Sequence, residues 1–188
     1  DFVPSRGLGD VYKRQAIRPG DILHMRNGKT IEVINTDAEG RLIMADALAF
    51  ASESKPDIIC DVATLTGAAY VALGVEIGAV FSNNKVTLDS FLNSNNDGFE
   101  NYHSLPLEQS YKSQIKSNIA DMKNSGGRFG GAITAALLLE EFVDDLNWIH
   151  LDIAGPARSR SSNSIYPEGG TGFGVLGYFN FLANEANG

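Results

Sequence analysis

Asn35-Thr36-Asp37-Ala38-Glu39-Gly40-Arg41-Leu42 places two carboxylates and a guanidinium within five positions. On extended backbone, side chains at i and i+2 leave from the same side, so Asp37 and Glu39 would face one ligand together. Hard divalent cations take oxygen-rich clusters of that kind. An arginine beside two acids either neutralises them or holds an anionic or carbonyl group next to a metal. A plainer reading stands beside this one: Asp37 caps the next helix, and Glu39 is solvated near its positive end.

Other chemical candidates are weaker. The glycines of Gly126-Gly127-Arg128-Phe129-Gly130-Gly131 precede a helix, where anions bind well. The segment lacks the Gly-Lys-Ser/Thr of a nucleotide-binding P-loop and reads as a tight structural loop. The histidines, His24, His103 and His150, show no His-x-x-x-His or Glu-x-x-His spacing. No Gly-x-Ser-x-Gly is present, so serine hydrolase chemistry has no support. Asp61 and Asp152 lie inside apolar runs, where a carboxylate needs a partner, and they read as buried hydrogen-bonding groups.

A hairpin and a helix flank the octet. Arg18-Pro19-Gly20-Asp21 is a turn, 22–25 a short strand, and Asn27-Gly28 a two-residue hairpin turn whose two central positions need positive φ. The second strand, 30–34, delivers the chain to the octet. A helix over 41–54 comes next, with Leu42, Ala45, Leu48, Ala49 and Ser52 on one face. Lys55-Pro56-Asp57 stops it. Residues 58–63 form an unbroken apolar run of the kind found in parallel sheets covered on both faces. Thr64-Leu65-Thr66-Gly67 closes that strand, and ligands gather at such carboxyl ends in open α/β sheets. Further strands are expected over 78–82 and 148–153. Helices are expected over 86–99, 132–143 and 175–185, with Ala132, Ala135, Ala136, Leu139, Phe142 and Val143 on one stripe of the second. Alternating strands and helices give an α/β fold with a mostly parallel central sheet and helices on both faces.

The chain has 188 residues, enough for one domain, and a formal charge of −8. That balance disfavours a nucleic-acid groove or an anionic membrane as partner. No apolar stretch approaches the ~20 residues needed to span a bilayer. The single cysteine, Cys60, allows no intrachain disulfide and sits in an apolar run as a small hydrophobe. Residues 1–15 have no apolar region of a signal peptide and do not blend into the segment after them, so they are set apart as a non-native leader, leaving 16–188 as the domain.

The octet resembles the hallmark segment of the leucyl aminopeptidases, the cytosolic M17 metallopeptidases, and other segments extend the likeness from about Ala16 to the C-terminus. Arg18-Pro19-Gly20-Asp21 with Asn27-Gly28-Lys29 is similar to the preceding hairpin. Ala63-Thr64-Leu65-Thr66-Gly67-Ala68 resembles the family's pocket strand end, and 120–124 with the Gly-rich loop its later active-site loop. His150-Leu151-Asp152-Ile153-Ala154-Gly155 and Gly170-Thr171-Gly172 match its C-terminal part. The resemblance implies a cytoplasmic hydrolase with two divalent ions, zinc or manganese, that releases N-terminal, leucine-like residues from peptides and assembles as a homo-hexamer. It implies Asp37 and Glu39 as metal ligands and Arg41 as the catalytic arginine, holding bicarbonate as general base. Thr64, Leu65 and Gly67 would line the pocket and bind the peptide backbone, and Ala154 would touch the first side chain.

The family also has an upstream segment with two lysines and two further aspartates, and a separate N-terminal domain. Asp10, Lys13 and Asp21 lie in no matching motif. The expectation is therefore an incomplete catalytic domain, inactive alone, whose sheet shows an open edge. A non-catalytic assembly or regulatory member of the same fold is the alternative.

Overall fold

The chain enters the octet through an antiparallel hairpin, β1 (Ile22–His24) and β2 (Thr30–Glu32), with Leu23 opposite Ile31. The computed structural model describes residues 17–96, 98–162 and 166–187, so the leader expected over 1–15 lies outside the described residues. The Asn27-Gly28 turn departs from the expected two-residue form. Within it only Gly28 has positive φ, 87°. Gly28 N–H donates to Met25 O at 3.0 Å and Met25 N–H to Lys29 O at 2.8 Å. This is a longer loop closed by a left-handed glycine, and the Asn27 side chain accepts from Lys29 N–H at 3.1 Å instead of turning the chain itself.

After a 3₁₀ turn, Thr36–Ala38, helix α1 (Gly40–Ser52) buries Leu42, Ala45, Leu48, Ala49 and Ser52, the face expected from the 3.6-residue period. Strand β3 (Ile58–Ala63) comes next, then α2 (Gly67–Leu73), β4 (Ile77–Ser82), α3 (Lys85–Ser94) and β5 (Asn101–Ser104). The expected helix over 86–99 thus stops at Ser94, and α2 and β5 were not foreseen. A 3₁₀ segment, Gln109–Ile115, and the short β6 (Met122–Lys123), parallel to β2, lead to α4 (Gly131–Glu140) and β7 (Asn147–Asp152). A small hairpin, β8 (Arg158–Ser159) with β9 (Gly169–Gly170), precedes α5 (Val175–Asn187).

The central sheet has strand order β3-β7-β4-β5, with β3/β7 and β4/β5 parallel and β4/β7 antiparallel. Strand alternation feeds two cores. Ile59, Ala79, Phe81 and Trp148 join α1 and α4 residues on one face. Val80, Ile149 and Leu151 join Phe91 of α3 and Phe181 of α5 on the other. Helix α4 is buried at Ala132 and throughout 134–139, not along a single stripe, because α1, α2 and the 3₁₀ segment 109–115 all pack against it. The outer edge of β3 has no strand partner among the described residues, an open edge of the kind that invites pairing.

One polar cluster sits in the first face. His150, fully buried, lies between the rings of Phe81 and Trp148, each at 5.8 Å centroid distance. Asp61, opposite His150 in register, meets His150 Nδ1 at 2.5 Å and accepts from Trp148 Nε1 at 2.6 Å. Burial opposes an imidazolium here, but Asp61, with Asp152 behind it, outweighs burial and holds His150 above its ordinary pKa. A raised folded pKa contributes stability that is full below the unfolded value of about 6.5 and fades as pH rises through the folded value. Urea midpoints should therefore fall as pH is raised above neutrality. Asp61→Asn should flatten that dependence and cost roughly 1–3 kcal/mol at pH 6. A wild-type midpoint that rises across the same range would contradict this ion pair.

Candidate functional site

The octet is held by a residue ninety positions away. Asn124, fully buried at the end of β6, accepts from Ile34 N–H at 2.9 Å and Asn35 N–H at 3.2 Å, and donates to Asn35 O at 2.6 Å. Its amide continues the β2–β6 pairing past the last strand residue. Asn35 then turns the chain, its side-chain oxygen accepting from Asp37 N–H at 3.0 Å. Asn35, not Asp37, is the cap of the 3₁₀ turn. The cap position of α1 falls on Glu39, so Asp37 does not take the helix-capping role considered for it, and its carboxylate is exposed. Glu39 is half-buried and makes no side-chain cap for α1.

Arg41 occupies the first turn of α1, the positive end of the helix dipole, where a cation is disfavoured. Its Nε is buried and has no hydrogen-bond partner among the described residues. Burial pulls the guanidinium below its ordinary pKa, and the fields of Asp152 and Glu39 work against that pull. A desolvated donor without an acceptor is costly, and an anion lodged against Arg41 would remove that cost.

Asp152 is the second organising residue. It ends β7, is almost fully buried, and lies opposite Ala63 in the parallel β3–β7 ladder. Its Oδ1 accepts from Leu65 N–H at 3.0 Å, Thr66 N–H at 3.3 Å and Ala154 N–H at 3.2 Å. Its Oδ2 accepts from the Thr66 hydroxyl at 2.6 Å. That hydroxyl in turn accepts from Ala69 N–H at 3.0 Å and caps α2. One carboxylate therefore fixes the loop 64–67, the start of α2 and the turn at Ala154. The buried hydrogen-bonding role read for Asp152 from sequence is the one observed.

Thr64 and Gly67 are exposed in this loop, and Leu65 and Ala154 are half-buried. A side chain at Gly40 would come within 3.9 Å of Leu65, so the start of α1 touches the loop. The Gly-rich segment closes in from the other side, where Ala68 lies 3.1 Å from the position a Cβ on Gly131 would take. Octet, loop and Ala154 thus gather at the carboxyl ends of the parallel pair β3 and β7, where open α/β sheets bind ligands. Asp37 and Glu39 are hard oxygen donors suited to a divalent ion. Among the described residues no third His, Cys, Asp or Glu joins them in a cluster. They fit such an ion in type and furnish part of a coordination sphere.

The catalytic-domain model of the cytosol aminopeptidase family matches residues 9–177. The chain belongs to that family, peptidase M17. It is 51% identical over 172 residues to the probable cytosol aminopeptidase of Synechococcus sp. (strain CC9902), covering 91% of this chain and 35% of that protein. It is 51% identical over 170 residues to the one from Syntrophotalea carbinolica, covering 90% of this chain and 34% of that protein. The chain thus spans about a third of the length of these M17 relatives. Among solved structures, the cytosol aminopeptidase of Coxiella burnetii superposes with a TM-score of 0.86 at 40% identity, over 92% of this chain and 38% of the other. A tomato leucine aminopeptidase mutant gives 0.84 at 44%, over 89% and 32%. The bottromycin maturation enzyme BotP gives 0.87 at 38%, over 91% and 38%. These likenesses establish the M17 fold. No helix among the described residues is long and apolar enough to cross a membrane.

The sequence named Asn124 only as part of a motif, and the Leu65 and Thr66 partners of Asp152 lie more than eighty residues away, beyond the reach of local pattern. Both are testable as clamps. Asp152→Ala strands three amides and a hydroxyl and should cost roughly 2–4 kcal/mol in urea unfolding. Hydrogen-exchange protection should be lost at Leu65 and Thr66 while the β4 and β7 amides keep theirs. Unchanged protection at Leu65 and Thr66 would show that the loop is held by something else.

Proposed function

We propose that this chain supplies one side of the active site of a metal-dependent aminopeptidase, a cytoplasmic hydrolase that removes leucine-like N-terminal residues from peptides. The observation that carries the reading is the unpartnered, buried Nε of Arg41 within the field of Asp152, the carboxylate that clamps the loop. A subunit kept only for assembly has no need of a desolvated, unpartnered guanidinium beside such a carboxylate.

In this reading Asp37 and Glu39 hold part of a pair of divalent ions, zinc or manganese. Such ions would supply Lewis-acid chemistry, activating a water and polarising the scissile carbonyl. Arg41 would hold a bicarbonate through its planar donors, and a group so held would supply a general base beside the loop. The loop orients the peptide. Leu65 N–H is already committed to Asp152, so Leu65 contributes its carbonyl, with Thr64 and Gly67 exposed beside it to meet the substrate backbone. The methyl of Ala154 borders the space for the first side chain. The complete enzyme is a homo-hexamer acting on peptides.

Two carboxylates cannot fill two coordination spheres. The 188-residue chain on its own, with added manganese, should leave leucine p-nitroanilide intact; robust turnover would refute that. In the longer polypeptide that carries this chain, Arg41→Ala should lower kcat by about 10²-fold or more with little change in KM, because a proton-transfer relay acts in the transition state. A rise confined to KM would assign Arg41 to ground-state binding instead.

A further inference from the structure

Beyond Ala154 a cavity of about 400 Å³ opens between α2 and the β8–β9 hairpin, lined by Tyr70, Val75, Ala154, Arg158, Arg160 and Glu168 among others. Its walls are set by tight contacts. At Gly155 a Cβ would fall 1.9 Å from the carbonyl oxygen of Gly74, so only glycine lets this turn lie against the end of α2. Ala157 N–H donates to Ile153 O at 3.0 Å and Thr171 N–H to Ala157 O at 3.0 Å, while the Thr171 hydroxyl donates to Pro156 O at 2.7 Å. These bonds anchor the hairpin that carries the two arginines directly to the turn that holds Ala154.

Arg158 and Arg160 form no ion pair among the described residues, although six such pairs occur elsewhere. Arg160 Nη2 instead points at the Tyr70 hydroxyl, 3.4 Å away. Glu168 is the one acid in the lining, set against two guanidiniums. A net positive recess in a chain of charge −8 stands out from its surroundings, and concave walls of low dielectric focus such a field. Guanidinium forks match carboxylate geometry in a way that ammonium or hydroxyl groups do not.

We propose that this cavity is a carboxylate subsite adjoining the first-residue pocket, through which the protein selects peptides bearing an acidic group close to the scissile bond. The proposal rests on the aminopeptidase reading of Ala154. The carboxylate comes either from an acidic first side chain or from the C-terminus of a dipeptide. Arg158 and Arg160 recognise it, Tyr70 shapes the recess, and Glu168 tempers its affinity.

The test compares Glu-Leu-amide, Leu-Leu and Leu-Leu-amide as substrates of the longer polypeptide, with wild type, the Arg158→Ala/Arg160→Ala double variant and Glu168→Gln. The kcat/KM ratio of the preferred carboxylate peptide to Leu-Leu-amide should fall about tenfold in the double variant and rise in Glu168→Gln, the scale of a charge-assisted hydrogen bond. Which of the two acidic peptides responds identifies the source of the carboxylate. Equal changes for all three peptides would overturn the subsite while leaving the peptidase reading intact. If none is cleaved, the peptidase reading fails, and binding decides the subsite. Glutamic acid α-amide, leucine and leucinamide are then titrated into the protein with NMR detection at Ser159 N–H, a signal that both wild type and the double variant keep. Shifts with either carboxylate probe that vanish in the double variant support the subsite. Equal shifts with leucinamide, or no shift with any probe, overturn it.

Discussion

Everything at the carboxyl end of β3 depends on where the Asp152 carboxylate sits. A charge buried at that depth survives only when its lone pairs are filled, and here three backbone amides and a hydroxyl fill them. The cost of burying the group is what makes it useful. A satisfied carboxylate with four fixed donors leaves the loop one arrangement, and through the Thr66 hydroxyl it also fixes the start of α2. Parallel pairing of β3 with β7 brings the end of one strand beside the end of the other, so loop and carboxylate meet without any long connection.

The field of the same carboxylate also reaches Arg41. A guanidinium at the start of a helix meets the positive end of the dipole and, once half-buried, loses water as well. Asp152 and Glu39 compensate in part. The remaining cost is local strain of the electrostatic kind, stored beside the exposed Asp37 carboxylate. An anion lodged there would relieve it, and this links the architecture of the loop to the chemistry proposed for the octet. The β8–β9 hairpin extends that logic outward, since its arginines are tied to the turn after Asp152 and form no ion pair among the described residues.

Much of this was readable from the chain. The face of α1 came from 3.6-residue spacing alone, and the apolar runs at 58–63 and 148–153 announced the strands found at Ile58–Ala63 and Asn147–Asp152. Local pattern failed where tertiary contact overrode it. Helix α4 looked one-sided but is enclosed by three neighbours, so its alanines and leucines are buried all round. Asn27-Gly28 signalled a turn correctly, yet the loop uses only the glycine's left-handed freedom. Strand β5 alternates weakly, Asn101 to Ser104, and takes its conformation from pairing with β4. The clamps were invisible in detail. A buried polar role was legible for Asp152 because it interrupts an apolar run, whereas Asn124 gave no local signal that it would complete the backbone pairing of Ile34 and Asn35.

The central claim is that the octet and the clamped loop form one surface built around cations. Paramagnetic broadening by manganese measures this most directly, because it needs neither turnover nor a complete coordination sphere. Titrating manganese into the isotopically labelled protein should broaden the amide signals of 37–41 and 64–67 together, ahead of the other acidic surfaces, and Asp37→Ala with Glu39→Ala should abolish the effect. Broadening that is scattered over the surface carboxylates, or that persists in the double variant, would contradict the account.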